Sequence, residues 1–150
     1  MILRSFLILA LSVAAAHACD CREPSVSFKL DHSEVVFRGT IIELRDSQKP
    51  ADLPAGFAQD TKKIVVFRVS RVWKGEVGET FEMPAVEETS ACVGFWPSIL
   101  KVGSDLLVYA YHSGGADYYT GICGGHKLAV GAKDFKELGR GKGPNPRHSK

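Results

Sequence analysis

The sequence predicts an all-β domain: a five-stranded sheet closed into a small barrel, with short helices at its flanks. Three observations predict it. Five segments rich in Val, Ile, Phe and Tyr are set apart by Gly- or Pro-bearing connections. No long helix is interleaved between them, so an all-β sheet closed on itself is the simplest architecture. Four cysteines follow an export-type leader, the mark of a domain held by disulfides rather than thiols.

The elements read as follows. "SVSFKLDHS" (25–33) suits a short helix or an irregular lead-in. "EVVFRGTIIEL" (34–44) puts Val35, Phe37, Gly39 and Ile41 on one face and Val36, Ile42 and Leu44 on the other. Gly39 inside that pattern predicts a bulge or sharp bend. "RDSQKPADLPAGFAQDT" (45–61) is a polar connection, too long for a hairpin. "KIVVFRVSRVWKGEVGE" (63–79) alternates Val65, Phe67, Val69 and Trp73 against Val66, Arg68, Ser70 and Val72, and its "KGEVG" turns into a third strand, "TFEMPA" (80–85). A loop carrying Cys92 precedes "DLLVYAYH" (105–112) and "YYTGICGG" (118–125), two strands joined by the glycine turn "SGGAD". "AVGAKDFKELG" (129–139) reads as a short helix that Gly139 ends.

The first eighteen residues have the parts of a secretory signal peptide: Arg4, the 11-residue apolar run "FLILALSVAAA" and the small-x-small site Ala16-His17-Ala18. That run is shorter than the ~20 residues a membrane span needs, which sets it against the competing readings of a retained anchor or a buried helix. The expected organisation is a signal peptide over 1–18, one domain over 19–138 and a disordered basic tail over 139–150. The full chain has 19 basic and 17 acidic residues, and losing Arg4 leaves a net charge of +1. Such a balance leaves no electrostatic footprint for nucleic acid. The expected product is secreted, or periplasmic in a Gram-negative bacterium, without a stable membrane span and monomeric.

Cys19, Cys21, Cys92 and Cys123 allow three pairings. Joining Cys19 to Cys21 closes a ring across one residue, against preferred disulfide geometry. Two pairings remain, and both tie the N-terminus to distant segments. A four-cysteine zinc site is the competing reading; export and the absence of C-x2-C spacing disfavour it.

Catalytic motifs are lacking: no H-E-x-x-H, G-x-S-x-G or P-loop occurs. His32, His112 and His126 are isolated in sequence, Glu87-Glu88 reads as a solvated loop, and Trp73, Phe95 and Trp96 read as packing residues. The expectation is a protein that is not an enzyme and carries no cofactor. The chemistry that remains is at Cys19. Cleavage after Ala18 gives it an α-amine with a pKa of about 7.7–8.0, and that amine with its own carbonyl forms a two-toothed chelate. A catalytic zinc with three protein ligands keeps one position for water, which such a chelate would occupy.

These features resemble the tissue inhibitors of metalloproteinases and the wider netrin-like module. The likeness rests on the start "CDC", on "VFRGTIIEL" and "VSRVWKGEVG" as barrel strands, on "ACVGF" as the cysteine loop and on "YYTGIC" as the last strand, and it covers about residues 19–138. The resemblance implies a five-stranded OB-fold (Greek-key) barrel and the pairs Cys19–Cys92 and Cys21–Cys123. It implies that Cys19 chelates the zinc of a target metalloendopeptidase, with no intrinsic metal. It also implies an inhibitory ridge of Cys19, Asp20, Cys21, Arg22, Glu23 and Pro24 beside the Cys92 loop, with Asp20 entering the protease specificity pocket. The chain departs from the family in having Asp20 where inhibitors have Ser or Thr, in placing its proline one residue late, at Pro24, and in lacking a third disulfide and a second cysteine-rich domain. Asp20 suits the alternative of a non-inhibitory netrin-like binding or adhesion module. A further alternative is an envelope protein lipidated at Cys19, for which Ala16 and His17 make a poor lipobox.

Overall fold

The computed structural model describes residues 19, 21–54, 61–87, 92–112 and 114–148. The expected signal peptide over 1–18, Asp20 and the last two residues lie outside them.

Helix α1 (Val26–His32) starts where the Ser25 hydroxyl accepts the Phe28 N–H at 3.2 Å, and it stops at Ser33, whose N–H reaches the Lys29 carbonyl. Strand β1 (Val35–Asp46) is the spine of the molecule. It pairs antiparallel with β2 (Lys63–Lys74) along its length, and through Val35–Thr40 with β4 (Asp105–Ala110). Adding β3 (Thr80–Pro84) and β5 (His126–Leu128) gives one five-stranded antiparallel sheet in the order β3-β2-β1-β4-β5.

The expected bend at Gly39 is present as a register shift between Arg38 and Gly39. A Cβ there would lie 3.1 Å from the Arg68 carbonyl and from Phe67 Cβ, so the crossing strands approach as closely as a glycine permits. The same shift corrects the predicted phase of β2. Arg38 pairs with Arg71 and Gly39 with Val69, which leaves Ser70 as the extra residue of a bulge. Val72 therefore joins Val65, Phe67 and Val69 in the main core, and Trp73 is carried to the opposite side.

The main core gathers Val35, Phe37, Ile41, Val65, Phe67, Met83, Phe95, Leu106 and Val108, with Phe37 and Phe67 edge to face at 5.3 Å. Each such side chain contributes about 1.5–3 kcal/mol by leaving water. On the other side, Val36, Leu107 and Tyr109 are covered by Leu30 from α1 and by Phe135 and Leu138 of α2 (Phe135–Leu138).

Three other expectations are corrected. The fifth strand is His126–Leu128, not 118–125. In the earlier segment only Tyr119 and Gly121 make single bridges, to Tyr111 and Val93. Gly124, at φ +83°, then turns the chain, with the Gly125 N–H on the Gly121 carbonyl. Helix α2 is a single turn, because Gly131 adopts φ +78° before it and Gly139 ends it at φ +69°. The tail over 139–148 is not loose. Lys142 bridges Val72 in both directions at 2.8 Å, Trp73 donates to the Gly139 carbonyl and Arg71 to that of Arg140, and a 3-10 turn occupies Pro146–His148.

The ladders run from β3 to β5 without joining those two edges, so the sheet is open where a closed barrel was expected. Single bridges Glu87–Phe95, Val93–Gly121 and Tyr111–Tyr119 follow one another between the end of β3 and the end of β4. No helix among the described residues is long and apolar enough to cross a membrane.

Candidate functional site: the N-terminal segment and its anchors

Two disulfides fix the N-terminal segment, Cys19 to Cys92 with Cα atoms 5.7 Å apart and Cys21 to Cys123 at 5.0 Å. Between the two pairings that the spacings left open, the structure has the one that the resemblance implied. Cys21, Arg22 and Glu23 are exposed, and Cys19 and Pro24 half-buried. A short surface strip thus runs over two crosslinks.

Each crosslink ends in a rigid loop. Cys92 adopts φ +58°, and Gly94 follows at φ +114° with space only for hydrogen: a Cβ would meet the Val86 carbonyl at 2.5 Å. Around it the Gly94 N–H donates to Thr120, Phe95 N–H to Val86 and Ile122 N–H to the Cys92 carbonyl. The Cys92 loop is therefore laced to the Cys123 turn, and Gly124 in that turn packs beneath Glu23 and Pro24.

Behind the strip is a charge cluster that the sequence did not disclose. The Lys29 ammonium, 1% exposed, donates to Asp134 at 2.7 Å and to Glu23 at 3.1 Å. Lys127 donates to Asp134 at 2.8 Å and also to Glu23, and the Tyr109 hydroxyl donates to Asp134 at 2.8 Å. Lys29 sits 4.8 Å from the centre of the Tyr109 ring. Burial alone would raise the Asp134 pKa, but hydrogen bonds from Lys127, Lys29 and Tyr109 outweigh it and hold the carboxyl near 2. The Lys127 and Lys29 hydrogen bonds likewise lower Glu23. For Tyr109, burial and then the Asp134 bond raise the phenol. At neutral pH two ammonium groups face two carboxylates, and Glu23 is tied to the body of the domain by charge as well as by its neighbouring disulfide.

Sequence offered a partial signal for this cluster. Lys29 lies three residues after Val26, on the buried stripe of α1. Asp134, inside the helix expected over 129–139, instead precedes its single turn, and its side chain makes no capping bond because the lysines hold it.

Of the isolated histidines, His32 and His112 are exposed, and the His32 Nδ1–H donates to the Phe28 carbonyl. His126 is buried beside Phe95, and its Nε2 accepts the Trp96 N–H at 3.2 Å. Burial lowers its pKa to about 4, so it is a neutral core residue at pH 7. Phe95 is core as expected, whereas Trp96 is 38% exposed and turns outward beside the strip's supporting loop. Among the described residues no three His, Cys, Asp or Glu side chains come together to hold a metal ion. The chain matches no protein-family model, and no curated protein is significantly similar to it.

Proposed function

We propose that the chain is a secreted inhibitor of zinc metalloendopeptidases built on an open, five-stranded OB-like sheet of the tissue-inhibitor and netrin-like type. The observation that carries this reading is the convergence of both disulfides on the exposed strip, Cys19–Cys92 and Cys21–Cys123. Support for the OB-like arrangement comes from the successive single bridges between the ends of β3 and β4. Two disulfides fit an oxidising compartment.

In this reading cleavage after Ala18 releases the Cys19 amine, whose lone pair and carbonyl oxygen take the water position on the target's zinc. The crosslinks and the Glu23–Lys29–Lys127 bonds hold the strip in one shape before docking, which lowers the entropy cost of association. Asp20 enters the specificity pocket, where an unpaired carboxylate costs about 1–3 kcal/mol. That cost is what favours the second reading, a netrin-like binding module without a protease target.

The test is a panel of zinc metalloendopeptidases titrated with protein whose N-terminal peptide mass shows an unmodified Cys19. The reading expects inhibition of at least one enzyme, abolished by acetylating the amine, and about tenfold tighter binding by Asp20→Ser at an apolar pocket. No inhibition by either form at high micromolar concentration sinks it and leaves the binding module. A diacylglyceryl mass on Cys19 sinks both in favour of the lipidated protein.

A further inference from the structure

Over β1 and β2, lined by none of the strip residues, the molecule has a groove of about 510 Å³, within the size range of small-ligand sites. Arg38 and Arg71 are direct cross-strand partners in its wall, and the tail brings Arg140 alongside. Two guanidinium groups opposite each other repel unless something neutralises them. Arg38 has its counter-ion: its Nε and Nη2 grip Asp105 at 3.0 and 2.6 Å. Arg71 and Arg140 do not; among the described residues neither has a salt bridge, and Arg71 spends one N–H on the Arg140 carbonyl at 2.9 Å. The groove therefore carries two uncompensated guanidinium groups, each with donors in a planar fork that fits a tetrahedral oxyanion. Beside them is an apolar floor, Trp73 stacked on Phe135 with ring centres 5.4 Å apart at 26°.

We propose that this groove binds an organic phosphate or sulfate monoester, with the oxyanion on Arg71 and Arg140 and a flat ring or sugar body against Trp73 and Phe135. The site exists only because residues 139–142 lie along β2, where the backbone bonds of Val72 and Lys142 put Arg140.

The two tryptophans are Trp73 and Trp96, so in a Trp96→Phe background the emission reports Trp73 alone. Phenyl phosphate and phenyl sulfate are titrated separately, with inorganic phosphate and sulfate as the same anions lacking a body. Expected are a saturable emission change with Kd below about 1 mM for at least one ester, and binding about fivefold or more weaker for the bare anion. The better ester assigns the anion. Arg140→Ala, which leaves the carbonyl that Arg71 uses, should weaken binding about tenfold, and Arg71→Lys severalfold through loss of the fork. Lys101→Ala, at an exposed position outside the groove lining, should leave Kd within about twofold. No saturable change with either ester, unaltered affinity in Arg140→Ala, or an equal loss in Lys101→Ala would overturn the proposal.

Discussion

Replacing Lys29 with Met removes an ammonium from the middle of the structure while keeping most of its aliphatic stem, so the loss reads the charge and not the packing. The Lys29 side chain is 1% exposed and its partner Asp134 5% exposed, at 2.7 Å. Breaking a buried ion pair from one side typically costs about 3–5 kcal/mol, because the surviving charge is left in a poor solvent. Here Asp134 keeps Lys127 and Tyr109 as donors, and the expected loss is correspondingly smaller, about 2–3 kcal/mol. With a urea slope of about 1.5–2 kcal/mol/M for a domain of this size, the unfolding midpoint should fall by roughly 1.5 M at an unchanged slope. Asp134→Asn and the double variant complete a thermodynamic cycle, whose coupling should exceed about 1 kcal/mol. A midpoint shift under about 0.3 M for Lys29→Met, or a coupling near zero, would refute the argument that this cluster anchors the strip.

Three further outcomes follow from the same geometry. The His126 pKa is depressed to about 4 by burial and that of Asp134 lies near 2, so in both cases the unfolded chain takes up the proton first on acidification. Stability should therefore fall as pH drops from 6.5 to 4, by about 3 kcal/mol through His126, and again from about 4 to 2 through Asp134; urea midpoints against pH should lose the first drop in His126→Gln. Replacing Cys21 and Cys123 together by Ala opens a link between residues 102 apart and should cost about 4 kcal/mol by equilibrium unfolding. Gly94→Ala, at φ +114° and with its new methyl 2.5 Å from the Val86 carbonyl, should lower the melting temperature by roughly 10 °C or more, a loss of at least about 2 kcal/mol.

The sequence made β1, β2 and the bend at Gly39 legible because alternation and an internal glycine are local signals. Val35, Phe37 and Ile41 fall in the core as the pattern dictates. The phase of Val72 and Trp73 was not legible, since a bulge at Ser70 arises from the fit between two strands and leaves no mark in either alone. The last strand was misplaced because "YYTGICGG" has strand composition, yet its glycines and Cys123 are used for a turn. A Gly- and Pro-rich tail reads as loose until β2 offers it Val72 to pair with. At the candidate site, the cysteine pairing was accessible through family resemblance. The cluster of Lys29, Tyr109, Lys127 and Asp134 was not, because it joins residues as far apart as 29 and 134 whose types suggest only a solvated surface.

The most direct measurement of the central claim compares two proteins that differ by one residue, one beginning at Cys19 and one with a single alanine added before it. Both keep Cys19–Cys92, Cys21–Cys123 and the charge cluster, which matched urea midpoints would show. Their dissociation constants are measured against the best-inhibited metalloendopeptidase, and the d–d spectrum of its cobalt-substituted form is followed on binding. If the amine is the zinc ligand, the added alanine moves it off the metal. Affinity should then fall at least about 30-fold, the loss of a binding anchor worth 2 kcal/mol or more, and the spectral change should disappear. Equal affinity and equal spectra for the two proteins would contradict the chelating mechanism.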